Sequence, residues 1–117
     1  MSDWEKVKKN CNVIITKATQ GTSFVDNYFV TVIQQCEKRK IPYWLYTYLD
    51  KGDELAQAKF LVKTCRDKVG EHFVGYVLDV EAGNTAFSVK AAMDYLSMLD
   101  HKMMIYTMYA GSEIWFK

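Results

Sequence analysis

Two rhythms of apolar and polar positions alternate along the chain. Residues 12–17, 42–49, 73–80 and 102–109 are runs of strand length, rich in β-branched and aromatic side chains, and their starts lie about 30 residues apart. Between them the apolar residues recur at helical spacing. Tyr28, Phe29, Val32, Ile33 and Cys36 fall on one face, then Leu55, Ala58, Val62 and Cys65, then Val89, Ala92, Met93, Leu96 and Leu99. A short leading helix capped near Ser2 or Asp3, and carrying Trp4 and Val7, precedes the first strand. The predicted order is one helix, three βα units and a fourth strand.

Strands separated by a single helix return to the same end of a sheet, so the four strands are expected to be parallel. Glycine and small polar residues follow them in Ala18–Ser23, Asp50–Asp53 and Ala82–Thr85. These turns gather at the carboxyl ends of the strands, the edge where α/β proteins of barrel or open-sheet type build their sites. Four units are too few to close a barrel. Residues 111–116 read as the beginning of a further helix, and the apolar Ile114-Trp115-Phe116 before Lys117 gives the chain the look of one cut short.

The most informative run is 73–81, an apolar strand that ends in Asp79 and Glu81. Residues i and i+2 of a strand share a side, which sets the two acids roughly 7 Å apart at the backbone. Adjacent carboxyls repel each other's charge, so one is driven to keep its proton while the other ionises, a division of labour that suggests acid catalysis. A helix cap or a lysine-paired surface acid is the competing reading of the same two residues.

Composition narrows the partners. Half of the 117 residues are hydrophobic, as in an ordinary folded domain, and 15 basic residues against 14 acidic leave no basic stripe for nucleic acid. No stretch reaches the roughly 18 apolar residues of a membrane span, and the N-terminus lacks the apolar core of a signal peptide. Cys11, Cys36 and Cys65 are widely spaced, with no CxxC pair and neither histidine in a ligand-like arrangement. They are expected to be buried structural thiols, with no metal site. Glu37–Lys40 and the charged residues between Lys63 and Lys68 read as solvated helix ends. His72 and His101 start strands, at the edge opposite the acids.

Residues 13–21 (Val-Ile-Ile-Thr-Lys-Ala-Thr-Gln-Gly), then Phe24, Asp26 and Phe29, Ile41-Pro42 leading into Tyr46-Thr47-Tyr48, Gln57-Ala58 before Phe60, and Leu78-Asp79-Val80-Glu81, resemble in order and spacing the glycoside hydrolase family 25 lysozymes. The match covers most of the chain, and its most specific element is the Asp-x-Glu strand end. The resemblance implies part of an irregular, TIM-like β/α barrel, with about four parallel strands present in one partial domain over residues 1–117. It implies a 1,4-β-N-acetylmuramidase that cleaves bacterial peptidoglycan, with Glu81 as proton donor, Asp79 as its electrostatic partner and no cofactor or metal. Peptidoglycan glycan strands would be the partner, met outside the cytoplasm by a protein secreted or delivered by a phage.

Tyr46 and Tyr48 match the family's aromatic motif, and Tyr106 holds a comparable place on the fourth strand. Aromatic faces suit pyranose rings, while core packing is the competing reading, more so for Trp44 on the same strand face. Thr47 stands where relatives often have histidine, and Gln20 where many have glutamate. Asp3 belongs to the leading helix and does not match the aspartate with which the family begins. The alternative to an enzyme is a catalytically silent half-barrel that pairs with a second copy through its open sheet edges, or that only holds glycan.

Overall fold

The computed structural model describes residues 3–107 and, for the backbone alone, 114–116. Helix α1 (Asp3–Asn10) leads into β1 (Ile14–Gln20), β2 (Phe24–Val25), α2 (Phe29–Arg39), β3 (Tyr43–Tyr48), α3 (Glu54–Cys65), β4 (Phe73–Val80), α4 (Ala86–Ser97), β5 (Lys102–Thr107) and β6 (Ile114–Phe116). The strands form one sheet in the order β2-β1-β3-β4-β5-β6. Its four central strands are parallel, as one-helix crossovers require, and the short outer strands run antiparallel. Among the described residues no helix is long and apolar enough to cross a membrane.

Each helix forms where a stripe meets a stop. In α2, Phe29, Val32, Ile33 and Cys36 are buried at i, i+3, i+4 and i+7, and Lys40 ends the helix at φ 58°, its N–H returned to the carbonyls of Cys36 and Glu37. Asp53 caps α3 by accepting from the Ala56 N–H, and Thr85 caps α4 by accepting from that of Ser88. The helices cover one face of the sheet, where Tyr43, Leu45, Tyr76, Leu78, Met103 and Ile105 are buried with them in the main core. The opposite face carries a smaller cluster of Trp44, Val77 and Met104, flanked by Tyr46, Val74 and Tyr106.

Two glycines serve close approaches. Gly21 turns β1 into β2 at φ +61°, and a Cβ there would stand 2.7 Å from the Asp50 carboxylate. A Cβ on Gly75 would lie 2.0 Å from the Lys102 carbonyl oxygen, so β4 meets β5 there only without a side chain.

Several expectations are corrected. The first strand runs on to Gln20 and turns back in the hairpin strand β2, where a loop was expected. The helix expected over 111–116 is instead a strand at 114–116, paired antiparallel with β5; residues 111–113 lie outside those described, as do Ser2 and residues 108 and 109 of the expected fourth strand. Three apolar residues are too short a signal for periodicity to separate the two structures. Cys36 and Cys65 are buried as expected, but Cys11 is exposed just beyond α1. Glu37 is not a solvated helix end. Half-buried, its carboxylate accepts from the Tyr43 hydroxyl at 2.7 Å, from the His72 N–H and from His72 Nδ1 at 2.9 Å, tying α2 to the start of β4.

Candidate active site

The register of the parallel strands builds the site. Asp79 pairs in register with Tyr48 on β3 and with Tyr106 on β5, and strands in a sheet lie about 4.8 Å apart, so two tyrosines flank one acid. The N–H of Leu49 donates to the Asp79 carbonyl at 3.0 Å and stitches the end of β3 to the end of β4. Leu78 and Val80 face the helices, which turns Asp79 to the other side. There it borders a cavity of about 310 Å³ whose remaining lining is Ile15, Tyr46, Val77, Met104 and Tyr106.

β4 stops at Val80, so Glu81 lies one residue past the strand and not within it. Its carboxyl is hydrogen-bonded to that of Asp79. Burial, the hydrogen bond to Glu81 and the charge of Glu81, in that order, push the Asp79 carboxyl up to about 7, with the ammonium of Lys17 pulling the other way. Asp79 Oδ1 is buried and has no hydrogen-bond partner among the described residues. Burial and the neighbouring carboxyl together thus favour the protonated form of Asp79. Burial, and then the charges of Asp79, Asp26 and Glu81, raise the Tyr46 hydroxyl above its ordinary range, so it remains a donor facing the acids.

Tyr46, Tyr106 and Asp79 thus line one cavity, and Glu81 joins them through Asp79. Tyr48 does not line it. Its ring lies 5.8 Å from Lys17 Nζ, which also sits 5.1 Å over the ring of Phe24. Lys17 donates to Gln20 Oε1 at 2.7 Å, and Gln20 Nε2 donates to Asp50 at 3.0 Å, bordering a polar cleft of about 450 Å³ shared with Phe24, Asp53 and Gln57. Thr47 points the other way, fully buried, its hydroxyl without a partner among the described residues.

Lys17 and Asp26 bear on the acids and carry no role in the sequence reading. Both lie within the matching motifs, but nothing in their spacing announces it: Lys17 shares the face of Ile15, an irregularity after it brings its partner Gln20 to the same side, and Asp26 is brought in by the hairpin through its N–H bond to the Ala18 carbonyl. His72 is held by Glu37 at the far edge, and the His101 ring packs edge-on against Phe73. Among the described residues no group of three or more His, Cys, Asp or Glu is arranged to hold a metal ion. A half-buried acid that favours its protonated form, with a second acid against it and an apolar cavity with tyrosine hydroxyls beside it, can protonate a leaving oxygen and leave a carboxylate behind.

Comparison with known proteins gives that chemistry a family. The family model described as glycosyl hydrolases family 25 matches residues 1–113. Among solved structures, the catalytic domain of endolysin ply40 from bacteriophage P40 of Listeria monocytogenes superposes with a TM-score of 0.78 at 21% identity, covering 90% of this chain and 56% of that one. A family 25 glycosyl hydrolase from Bacillus anthracis gives 0.68 at 19% identity, over 92% of this chain and 55% of that one. The modular autolysin LytC from Streptococcus pneumoniae, in complex with a synthetic peptidoglycan ligand, gives 0.72 at 16% identity, over 91% and 29%. These likenesses confirm the β/α fold, and the chain spans about half the length, or less, of the solved relatives. No curated protein matches it.

Proposed function

The chain belongs to glycosyl hydrolases family 25, and from that premise we propose that it is a peptidoglycan hydrolase, a 1,4-β-N-acetylmuramidase acting at the bacterial cell wall. The observation that carries the reading is the hydrogen-bonded Asp79–Glu81 pair, with Asp79 raised to about 7 beside the tyrosine-lined cavity.

Before substrate binds, the proton rests on Asp79, whose burial favours the protonated form, and Glu81 receives its hydrogen bond. When a glycan strand fills the cavity, the proton passes along that bond to Glu81, the residue beyond the strand end and nearer the incoming leaving group. Glu81 then gives it to the glycosidic oxygen as the bond from that oxygen to the anomeric carbon breaks and its electron pair leaves with the oxygen. Asp79, now a carboxylate in a poorly solvated cavity, faces the developing oxocarbenium charge. A water adds its hydroxide to the anomeric carbon and returns its proton to the pair. Tyr46 and Tyr106 offer ring faces and hydroxyls to the sugars, and Tyr48 extends the surface toward Phe24.

The test is release of new reducing ends from purified peptidoglycan. Wild type should produce them, mass spectra should show N-acetylmuramic acid at the new ends, and Glu81→Gln should abolish the release. Equal activity in Glu81→Gln would refute the assignment. A second reading is favoured by one observation, that Ile15 on the cavity side remains half exposed at the open face of the sheet. On that reading the chain is catalytically silent, and holds glycan or pairs with a second copy through its sheet edges. Glycan binding without new reducing ends, or a dimer in sedimentation, would select it.

A further inference from the structure

Glu54 is the first residue of α3 and is 1% exposed. A carboxylate suits a helix N-terminus, but there it is ordinarily solvated, and burying one is costly unless its oxygens are satisfied. Here only one is. Glu54 Oε2 accepts from Asn84 Nδ2 at 2.7 Å, while Glu54 Oε1 and Asn84 Oδ1 are both buried without a partner among the described residues. Such an arrangement adds little to stability, because an apolar side chain of similar volume would fill the space without the desolvation.

What it does add is position. Asn84 Nδ2 also donates to the Asp50 carbonyl at 3.0 Å, which accepts from Gln57 Nε2 as well. Asp50 Oδ1 accepts from Gln20, and Gln20 Oε1 accepts from Lys17. One hydrogen-bonded run therefore crosses three turns at the carboxyl edge of the sheet, from Glu54 to the ammonium whose charge bears on Asp79. Asn84 stands three residues after Glu81, with Gly83 at φ +76° between them. The turn that presents Glu81 is anchored on one side by β4 and on the other by Asn84.

We infer that buried Glu54 and Asn84 are positioning residues, a strut that pins the 81–84 turn so that the Glu81 carboxyl stays against Asp79. The catalytic part of this inference rests on the function proposed above; the geometric part does not. Neither residue touches the cavity. Released from the strut, Glu81 would swing into solvent, and Asp79 would lose the hydrogen bond and the charge that help it hold its proton.

The test uses Glu54→Leu, which removes the buried charge and leaves Asn84 its bond to Asp50. Thermal stability should be kept or raised, while peptidoglycan turnover falls by about 100-fold with little change in KM, the scale set by a misplacement near 1 Å. In parallel, carbon-13 NMR of the side-chain carboxyls should show Asp79 titrating below its wild-type midpoint. Glu54→Gln, which still offers Asn84 an acceptor, should restore both. A purely structural Glu54 would change the melting temperature and leave the Asp79 titration in place, and that result overturns the inference. Should Glu54→Leu fail to fold, Asn84→Ala decides by the same titration. Should wild type release no reducing ends, the titration still judges the strut, so loss of the proposed function and loss of the strut remain distinguishable.

Discussion

Replacing Asp79 by asparagine should make the protein more stable at neutral pH and no more stable in acid. Folding raises the Asp79 carboxyl from 3.8 to about 7, so between those values the folded state holds a proton that the unfolded chain has released. Stability linked to this group is therefore intact below pH 4, declines as pH rises, and is fully lost above about pH 7. Three pH units at about 1.4 kcal/mol each set a ceiling of about 4 kcal/mol. The cavity opens to solvent and Asp79 is only partly buried, so screening reduces this to about 1–2 kcal/mol. Asparagine keeps the shape, carries no charge to desolvate and can still donate to Glu81. Thermal and urea unfolding of wild type and Asp79→Asn should coincide at pH 3.5 and separate by about 1–2 kcal/mol at pH 8, or about 4–8 °C in Tm, with the variant higher. Acids away from this pair meet the same surroundings in both proteins, and their contributions cancel. A difference of equal size at the two pH values, or a variant less stable at pH 8, would refute the reasoning.

Two further perturbations act away from the acids. Gly75→Ala forces a methyl to 2.0 Å from the Lys102 carbonyl, and because backbone cannot yield as a side-chain tip can, urea unfolding should show a loss of about 3 kcal/mol; a loss under about 0.5 kcal/mol would mean that β4 and β5 separate without penalty. Burial works against ionisation of Glu37, but hydrogen bonds from His72 and Tyr43 and the charge of His72 outweigh it and hold the carboxyl below its ordinary range. Glu37→Ala leaves the Tyr43 hydroxyl and the His72 N–H unpaired and should cost about 2–3 kcal/mol at pH 7. That loss should shrink as pH falls through the depressed pKa of Glu37, where wild type forfeits the same interaction, and a penalty independent of pH between 3 and 7 would count against the network.

The central strands could be read from the sequence because they are buried on both faces. Tyr43 to Leu45 and Tyr76 to Leu78 are apolar without interruption, a pattern that parallel strands covered by helices require. The helices announced themselves by period. The edges did not: Phe24 and Val25 are two exposed residues, and Lys17 to Gln20 form strand only because β3 lies beside them. The same limit governs the site. Asp79 and Glu81 stand out as acids at the end of an apolar run, and Tyr46 and Tyr106 as aromatics on the strands to either side of it. Glu37 and Glu54 look like solvated acids at helix termini, and each is buried by a distant segment, His72 for one and Asn84 for the other. Contacts made across 30 or more residues leave no local periodicity behind them.

Two irregularities decide which side of the sheet the chemistry occupies. Tyr43 pairs with Phe73 but Trp44 pairs with Gly75, so β4 carries one extra residue at Val74. Before that point an odd-numbered side chain, Phe73, enters the helix-side core; after it the even-numbered Tyr76, Leu78 and Val80 do. Were the alternation from Phe73 regular through Val74, it would carry Asp79 into the main core and put Leu78 and Val80 in the cavity. In β1 the register likewise skips Ala18 between Lys17 and Thr19, so Ala18 and Thr19 are both fully buried while Lys17 and Gln20 bond each other on the side of the acids. The sheet would have comparable apolar content without either irregularity, but Asp79 would not face the cavity, and Gln20 would not meet the Lys17 ammonium. Gly75, the first residue after the extra one, is also where β4 approaches β5 too closely for any side chain. The close strand contact that admits only glycine and the shift that exposes the acid therefore occur at the same place in the chain.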